Sequence, residues 1–197
     1  YSCLGQNGKG GHNHIDVGSF TLSIDGKQII SDPGSYSYNR NKIIRDIFRS
    51  PEMHNTMIYE NENYDLKGVP NFSLPNFFND INSQLDNNLN QVQLGFRNIK
   101  SNLYRKRIFR LDDNMFTLTN KGNNHENYYF YLIFYPGTKL DINNDNIKIN
   151  DNITLTYKNI KNLKIDDVDY SLSYNILQKT KRCIFSASGE TSLIFNF

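Results

Sequence analysis

Two histidines that stand one residue apart, His12 and His14, are the side chains of this sequence best suited to chemistry. They follow the pair Gly10-Gly11 and are half of the four histidines in 197 residues. An imidazole can ligate a metal or transfer a proton, and its ordinary pKa lies near neutrality. On a β-strand, alternate side chains point to the same face. We therefore predict that both histidines face one site.

A predicted β-hairpin should bring a carboxylate to the same place. Residues 19–24 alternate polar and apolar side chains, Asp25-Gly26 is typical of a tight turn, and residues 27–31 form the return strand. That strand ends at the turn signal Asp32-Pro33-Gly34. Since a hairpin returns to the level at which it began, we expect Asp32 to lie near His14.

The composition predicts a folded, β-rich chain. The sequence is 38% hydrophobic and 13% aromatic, and a chain of this length can bury one sizeable core. A net charge of +2 is too small to indicate nucleic-acid binding. No apolar run approaches the ~20 residues that span a bilayer. No signal peptide is recognisable, and we expect residues 1–197 to be a single domain from a longer protein.

Many short strands and no convincing long helix predict an all-β antiparallel sandwich. Residues 61–90 are interpreted as a loop with short strand pieces such as 71–74, and residues 139–170 as edge strands and long turns. Apolar residues on both faces place 128–135 at the centre of a sheet. The predicted strands are 56–59, 91–98, 103–111, 115–120, 128–135, 183–187 and 192–197.

Basic and aromatic side chains between the hairpin and the third histidine could bind an acidic ligand. An arginine can hold a carboxylate or sulfate through two parallel hydrogen bonds, and tyrosines can line a cleft. We predict substrate contacts from Tyr36, Tyr38 and Arg49. A solvated basic loop is the commoner explanation for such arginines, and we favour it for at least two of Arg40, Arg45 and Arg49. Arg105 and Arg107 share one strand face, which we interpret as a wet or interdomain surface.

Three ordered motifs together resemble a known family. They are Gly10-Gly11-His12-Asn13-His14-Ile15-Asp16, then Asp32-Pro33-Gly34-Ser35-Tyr36, then Arg49-Ser50 followed by His54-Asn55-Thr56. The pattern resembles the C-terminal domain of heparinase II/III-like polysaccharide lyases, with specific motifs confined to residues 10–56.

The resemblance implies both an architecture and a reaction. In such lyases a helical α/α toroid precedes a β-sandwich, and an acidic polysaccharide binds between the two. The first histidine of the pair is catalytic in several members, which points to His12. Zinc, expected to be structural, would be held by His14, Asp32 and His54, which suit its preference for nitrogen and oxygen ligands.

The expected activity is that of a carbon–oxygen lyase: β-elimination at a uronic acid of a glycosaminoglycan, alginate or capsular polymer. Without the toroid the chain is expected to be inactive. A periplasmic, cell-surface or secreted location in a bacterium would fit the family.

Three other functions share features with this sequence. A cupin-type metal oxygenase also uses a His-x-His pair, but a glutamate usually follows it closely, and here none occurs before Glu52. A non-catalytic carbohydrate-binding or capsule-assembly module could keep the sandwich without the chemistry. A His-Asn-His nuclease spreads its motif along a ββα hairpin, whereas these letters form one tripeptide.

Overall fold

The computed structural model describes residues 10, 12–37, 41–70, 73–143 and 145–197. Tyr38 and Arg40 of the predicted basic and aromatic segment lie outside these residues, as do the first two positions of the predicted strand piece 71–74. Among the described residues, no helix is long and apolar enough to cross a membrane.

In the described residues, twelve strands and one short helix make up the regular structure apart from a 3-10 turn. In chain order the elements are β1 (Leu22–Ile24), β2 (Lys27–Ile30), α1 (Lys42–Arg49), β3 (Met57–Tyr59), β4 (Phe78–Asp86), β5 (Gln91–Asn98), β6 (Tyr104–Asp112), β7 (Met115–Lys121), β8 (Tyr128–Ile133), β9 (Leu140–Ile142), β10 (Asn146–Ile149), β11 (Ile153–Ser173) and β12 (Ile176–Asn196). A 3-10 turn at Pro51–Met53 follows α1. The prediction of an all-β fold is confirmed.

The sheets are antiparallel throughout. The main path runs β4-β5-β6-β7-β12-β11-β10-β9, and β8 joins it through β12 and carries β3 on its other edge. One stretch of β12, residues 182–187, pairs with β8, whereas residues 190–196 pair with β7. Gly189, with φ of +69°, lies between them. A glycine tolerates this conformation, so one long strand can serve both layers of the sandwich.

The core lies between these layers and follows from the period of two along the strands. In β12 the side chains of Cys183, Phe185, Leu193 and Phe195 are fully buried, while the intervening residues are more accessible. They pack with β8, whose Phe130 stacks on Phe185 at 4.8 Å between ring centroids. The predicted central position of 128–135 therefore agrees with its burial.

Residues 139–170 and 61–90 differ from the sequence interpretation. The predicted turns and edge strands of 139–170 are instead largely β11, whose 21 residues pair along β12 through several bulges. Its Asn, Asp and Lys residues weaken the strand signal, but pairing with β12 overrides that propensity. The supposed loop of 61–90 contains β4, an irregular edge strand with a positive φ at Asp80.

The predicted polar loop after the hairpin contains α1. Asn41 caps this helix by accepting a hydrogen bond from the Ile44 amide at 3.1 Å. Its inner face buries Arg45, Phe48 and Arg49. The interpretation of at least two of Arg40, Arg45 and Arg49 as solvated loop residues is therefore wrong. Arg45 and Arg49 are four residues apart, so successive turns of the helix direct both of them into the protein.

The interpretation of Arg105 and Arg107 as a wet or interdomain surface is also wrong, since both are fully buried. Arg105 pairs with Glu62 through both terminal nitrogens of its guanidinium. Arg107 donates to the carbonyls of Gly18 and Asn55 and to the Asn120 side chain. A charged strand face can be internal when another segment supplies a carboxylate or carbonyl groups.

Candidate functional site

The segment that carries His12 and His14, residues 12–19, consists of turns and a bend and contains no strand. We call it the histidine segment. The Asn13 amide donates to the Gly10 carbonyl at 3.1 Å, and the Ser19 amide donates to the main-chain carbonyl of Asp16 at 2.8 Å. The Ile15 amide bonds the Arg49 carbonyl at 3.0 Å, which ties the segment to the end of α1. The prediction that a strand aligns the two histidines is therefore wrong. Their shared location depends on the turns.

Three of the predicted site residues form one chain of side-chain contacts. His54 Nδ1 lies 2.7 Å from Asp32 Oδ2, and His54 Nε2 lies 3.1 Å from His14 Nδ1. His14 Nε2 in turn lies 3.3 Å from the Ser35 hydroxyl. The hairpin β1–β2 delivers Asp32, and the 3-10 turn delivers His54. The expected proximity of Asp32 and His14 thus arises through His54, which contacts both.

Burial strongly affects the pKa values of His14 and Asp32, two of these connected side chains. His54 is fully buried, and burial, reinforced by His54, lowers the pKa of His14 to about 3. Burial acts to raise the pKa of Asp32, but the hydrogen bond and charge of His54 outweigh it and lower that pKa. The Gly34 amide also donates to Asp32 Oδ1 at 2.9 Å. At neutral pH Asp32 is therefore ionised and His14 is uncharged.

The two histidines are compatible with a shared metal ion. Two nitrogens bound to one tetrahedral zinc at about 2.0–2.1 Å lie about 3.3 Å apart, close to the 3.1 Å that separates His14 Nδ1 from His54 Nε2. Asp32 contacts the opposite nitrogen of His54, the position of a carboxylate that orients a histidine ligand. No group of three or more His, Cys, Asp or Glu side chains converges as a metal site in the described part of the chain.

Two buried residues, Asn55 and Arg107, stabilise the arrangement of His14, Asp32 and His54. The Asn55 amide nitrogen Nδ2 donates to the carbonyls of Phe20 and Ser31, both at 2.9 Å, and its Oδ1 accepts from the Ile133 amide at 2.7 Å. Arg107 bonds Gly18 on the histidine segment and Asn55 beside His54. These contacts hold the segments that carry His14, Asp32 and His54 in register.

The histidine segment forms one end of a surface groove of about 860 Å³. His12 is exposed there, and His14, Asp16 and Ser35 line the same end. Away from the histidines the lining is mainly aromatic and aliphatic, from β4 to β7, residues 74–77 and the segment before β1, and it also includes Thr21, Asn76 and Ser83. The groove is therefore open, with its ionisable groups at the histidine end and a mainly apolar lining elsewhere.

Tyr36 and Arg49, which were predicted to bind substrate, do not line this groove. Tyr36 has a φ of +54°, and its ring stacks on Phe48 at 6.0 Å, within a small core cluster. Arg49 is buried and donates to the carbonyls of Asn13 and Ser73. These contacts give Arg49 a positioning role, and substrate contact by Tyr36 or Arg49 stays a prediction. Tyr38 lies outside the described residues.

Sequence reasoning missed Ser35 and Arg107. Ser35 follows the Asp-Pro-Gly turn directly, so the hairpin that placed Asp32 also carried a signal for Ser35. No local pattern could identify Arg107, because its partners Gly18 and Asn55 lie far away in the chain.

Several solved structures share the fold of this chain. Residues 2–189 match the family model for the heparinase II/III-like C-terminal domain. The crystal structure of the heparan sulfate lyase HepC from Pedobacter heparinus has a TM-score of 0.69 at 18% identity, covering 99% of this chain and 32% of its own. A heparinase III structure with methylated lysines has a TM-score of 0.66 at 16% identity, covering 91% of this chain and 29% of its own.

No curated protein matches the chain significantly. The chain spans about a third of the length of these solved structures. Because their sequence identity to this chain is low, these structures support a shared fold and nothing further. The family match, by contrast, extends over nearly the whole sequence. This chain therefore belongs to the heparinase II/III-like C-terminal domain family, a family of polysaccharide lyases.

Proposed function

We propose that this chain is the β-sandwich part of a lyase that cleaves a uronic-acid polysaccharide by β-elimination. The observation that carries the proposal is the contact chain from Asp32 through His54 to His14, which lies at one end of an open groove with His12 exposed beside it. A groove is needed to admit a polymer, and a positioned imidazole is needed to move a proton.

The reaction assigns a proton-transfer role to His12. A base removes the proton from C5 of the uronate, the bond from C4 to the bridging oxygen breaks, and an acid protonates the departing oxygen. The product carries a C4–C5 double bond. His12 serves one of these two steps, each of which contributes roughly 10²–10⁴-fold to the rate.

The remaining groups of the site come from another part of the parent protein. The described residues that line the groove include no tyrosine, lysine or arginine. The second proton-transfer group and the cations that neutralise the uronate therefore belong to a preceding helical toroid, for which the partial coverage of the solved structures leaves room. By this proposal, the chain expressed alone does not eliminate.

His14 and His54 are proposed to hold zinc, with Asp32 as a third ligand or as the carboxylate that orients His54. Bound zinc would supply a positive charge that braces the turns around His12. In its absence, one set of neutral tautomers satisfies the same contacts: Ser35 donates to His14, His14 donates to His54, and His54 donates to Asp32.

Elimination by the full-length parent protein tests the proposal through the absorbance of the unsaturated uronate. We expect His12→Ala to lose at least about 100-fold in kcat with little change in melting temperature, since it removes a proton-transfer group from an exposed turn. His125→Ala, at another exposed turn, is the matched control and should retain activity. Full activity in His12→Ala would remove this histidine from the mechanism.

Turnover by the chain expressed alone would show that the second proton-transfer group lies within these 197 residues. Oligosaccharide binding without elimination by the parent protein would instead favour a non-catalytic carbohydrate-binding module.

A further inference from the structure

The apolar part of the groove includes three aromatic rings, one of which contacts the other two. Phe20 precedes β1, Phe109 lies on β6 and Phe116 lies on β7. The Phe20 ring centroid lies 5.5 Å from that of Phe109 and 5.6 Å from that of Phe116. Phe20 and Phe109 are half-buried, so part of each ring surface is open to the groove. We call these three rings the aromatic shelf.

The shelf is held from beneath by a buried cation. The guanidinium carbon of Arg107 lies 5.6 Å from the Phe20 centroid and 5.4 Å from the Phe109 centroid, a separation typical of cation–π contacts. The same guanidinium donates hydrogen bonds to the carbonyls of Gly18, near His14 in the sequence, and of Asn55, next to His54. Arg107 therefore links two rings of the aromatic shelf, those of Phe20 and Phe109, to the segments that carry His14 and His54.

The charges along the groove restrict what can bind there. Among the lining residues in the described part of the chain, ionisable side chains belong only to His12, His14 and Asp16, all at the histidine end. Arg107 is fully buried and cannot reach a ligand. A sulfate or carboxylate pressed against the aromatic shelf would lose water without gaining a cation, which is unfavourable.

We propose that the aromatic shelf is a subsite that stacks the face of an uncharged pyranose ring of the polymer, on one side of the uronate that reacts at the histidine end. This inference rests on the proposed function and names the kind of sugar that the second end of the site takes. The C–H bonds on a pyranose face carry partial positive charge, and the face of an aromatic ring is negative. Continuity of the groove with the histidine end identifies the occupant as the same polymer.

Phe109→Ala in the full-length protein tests the subsite, with Leu111→Ala as the matched control. Leu111 lies on the same strand and is exposed outside the groove. For oligosaccharides whose ring next to the uronate is uncharged, we expect KM to rise about tenfold in Phe109→Ala with kcat retained, and by less than about twofold in the control. The ratio between variant and wild type should be the same at low and high salt, since no charge is involved.

A second comparison uses the same oligosaccharides with a sulfate on the non-reacting ring. The wild type should bind them more weakly, and Phe109→Ala should discriminate less between the two forms. An unchanged KM in Phe109→Ala, or a wild-type preference for the sulfated ring, would overturn the subsite while leaving elimination by His12 intact. A drop in melting temperature in Phe109→Ala with an unchanged KM would mean that this ring serves only to pack the core, which also overturns the subsite.

If no polymer is eliminated, the proposed function fails by itself. The subsite is then judged by equilibrium binding of the uncharged-ring oligosaccharides to the wild type and to Phe109→Ala. Weaker binding to the variant supports it, and equal binding overturns it.

Discussion

Removal of the Asn55 side chain should have a large effect on stability, because this residue ties together segments that are distant in sequence. The fully buried side chain donates to the carbonyls of Phe20 and Ser31 and accepts from the Ile133 amide. Asn55→Ala removes all three hydrogen bonds and leaves three main-chain groups without these partners. The segment before β1, the end of β2 and the end of β8 would all be affected.

The expected magnitude follows from those unsatisfied groups. Each buried donor or acceptor that loses its partner costs about 1–3 kcal/mol. Allowing for partial relaxation, Asn55→Ala should lower the free energy of unfolding by roughly 3–6 kcal/mol, a large part of the ~5–15 kcal/mol of a typical domain. Asn55→Asp should cost at least as much, because it turns an oxygen towards two carbonyls while keeping the acceptor for Ile133.

Equilibrium unfolding in urea measures these differences. Asn196→Ala, an exposed position on β12, is the control and should change the free energy of unfolding by less than about 0.5 kcal/mol. A loss below about 1 kcal/mol in Asn55→Ala would refute the reasoning, as would an Asn55→Asp variant as stable as the wild type. Either result would mean that water or a shifted main chain satisfies the three groups.

Two further predictions concern the acid stability and the metal. Burial acts to raise the pKa of Glu62, but hydrogen bonds and charge from Arg105 outweigh it and lower the pKa. The ionised carboxylate therefore stabilises the fold above the unfolded-state pKa of about 4.3, and this contribution is lost as the pH falls further. Urea midpoints measured across pH 3–7 should drop more steeply on acidification for the wild type than for Glu62→Gln; parallel profiles would contradict the assignment. For the metal, protein purified without chelator should contain about one zinc per chain. His14→Ala should lose this zinc and melt at a lower temperature, whereas His12→Ala should keep it. Equal zinc in both variants, measured by elemental analysis, would exclude His14 as a ligand.

The identities and order of the site residues could be read directly from the sequence. Alternating side chains and the Asp25-Gly26 turn predicted the β1–β2 hairpin, and the Asp-Pro-Gly turn located Asp32 at its end. These are local features, in which backbone preference and hydrophobic period act within a few residues. The same local reasoning predicted the all-β fold and the boundaries of β5 correctly.

Local patterns were less successful where distant partners decide the outcome. The Asn- and Lys-rich stretch of β11 is a long strand because β12 pairs with it along its length. Arg105 and Arg107 are buried because Glu62 and the Gly18 and Asn55 carbonyls meet them in the interior. For these two arginines, the buried charge and the groups that compensate for it lie on different segments.

The sequence by itself therefore determined which side chains could do chemistry and which hairpin carries one of them. Only the tertiary structure decided how they meet: the histidine segment is a set of turns, and His54 lies between Asp32 and His14. It also joined the histidine end to the aromatic shelf in one groove. The physical reason is that side-chain type and short-range backbone preference are local, whereas burial, hydrogen-bond partners and electrostatics depend on segments that only folding brings together.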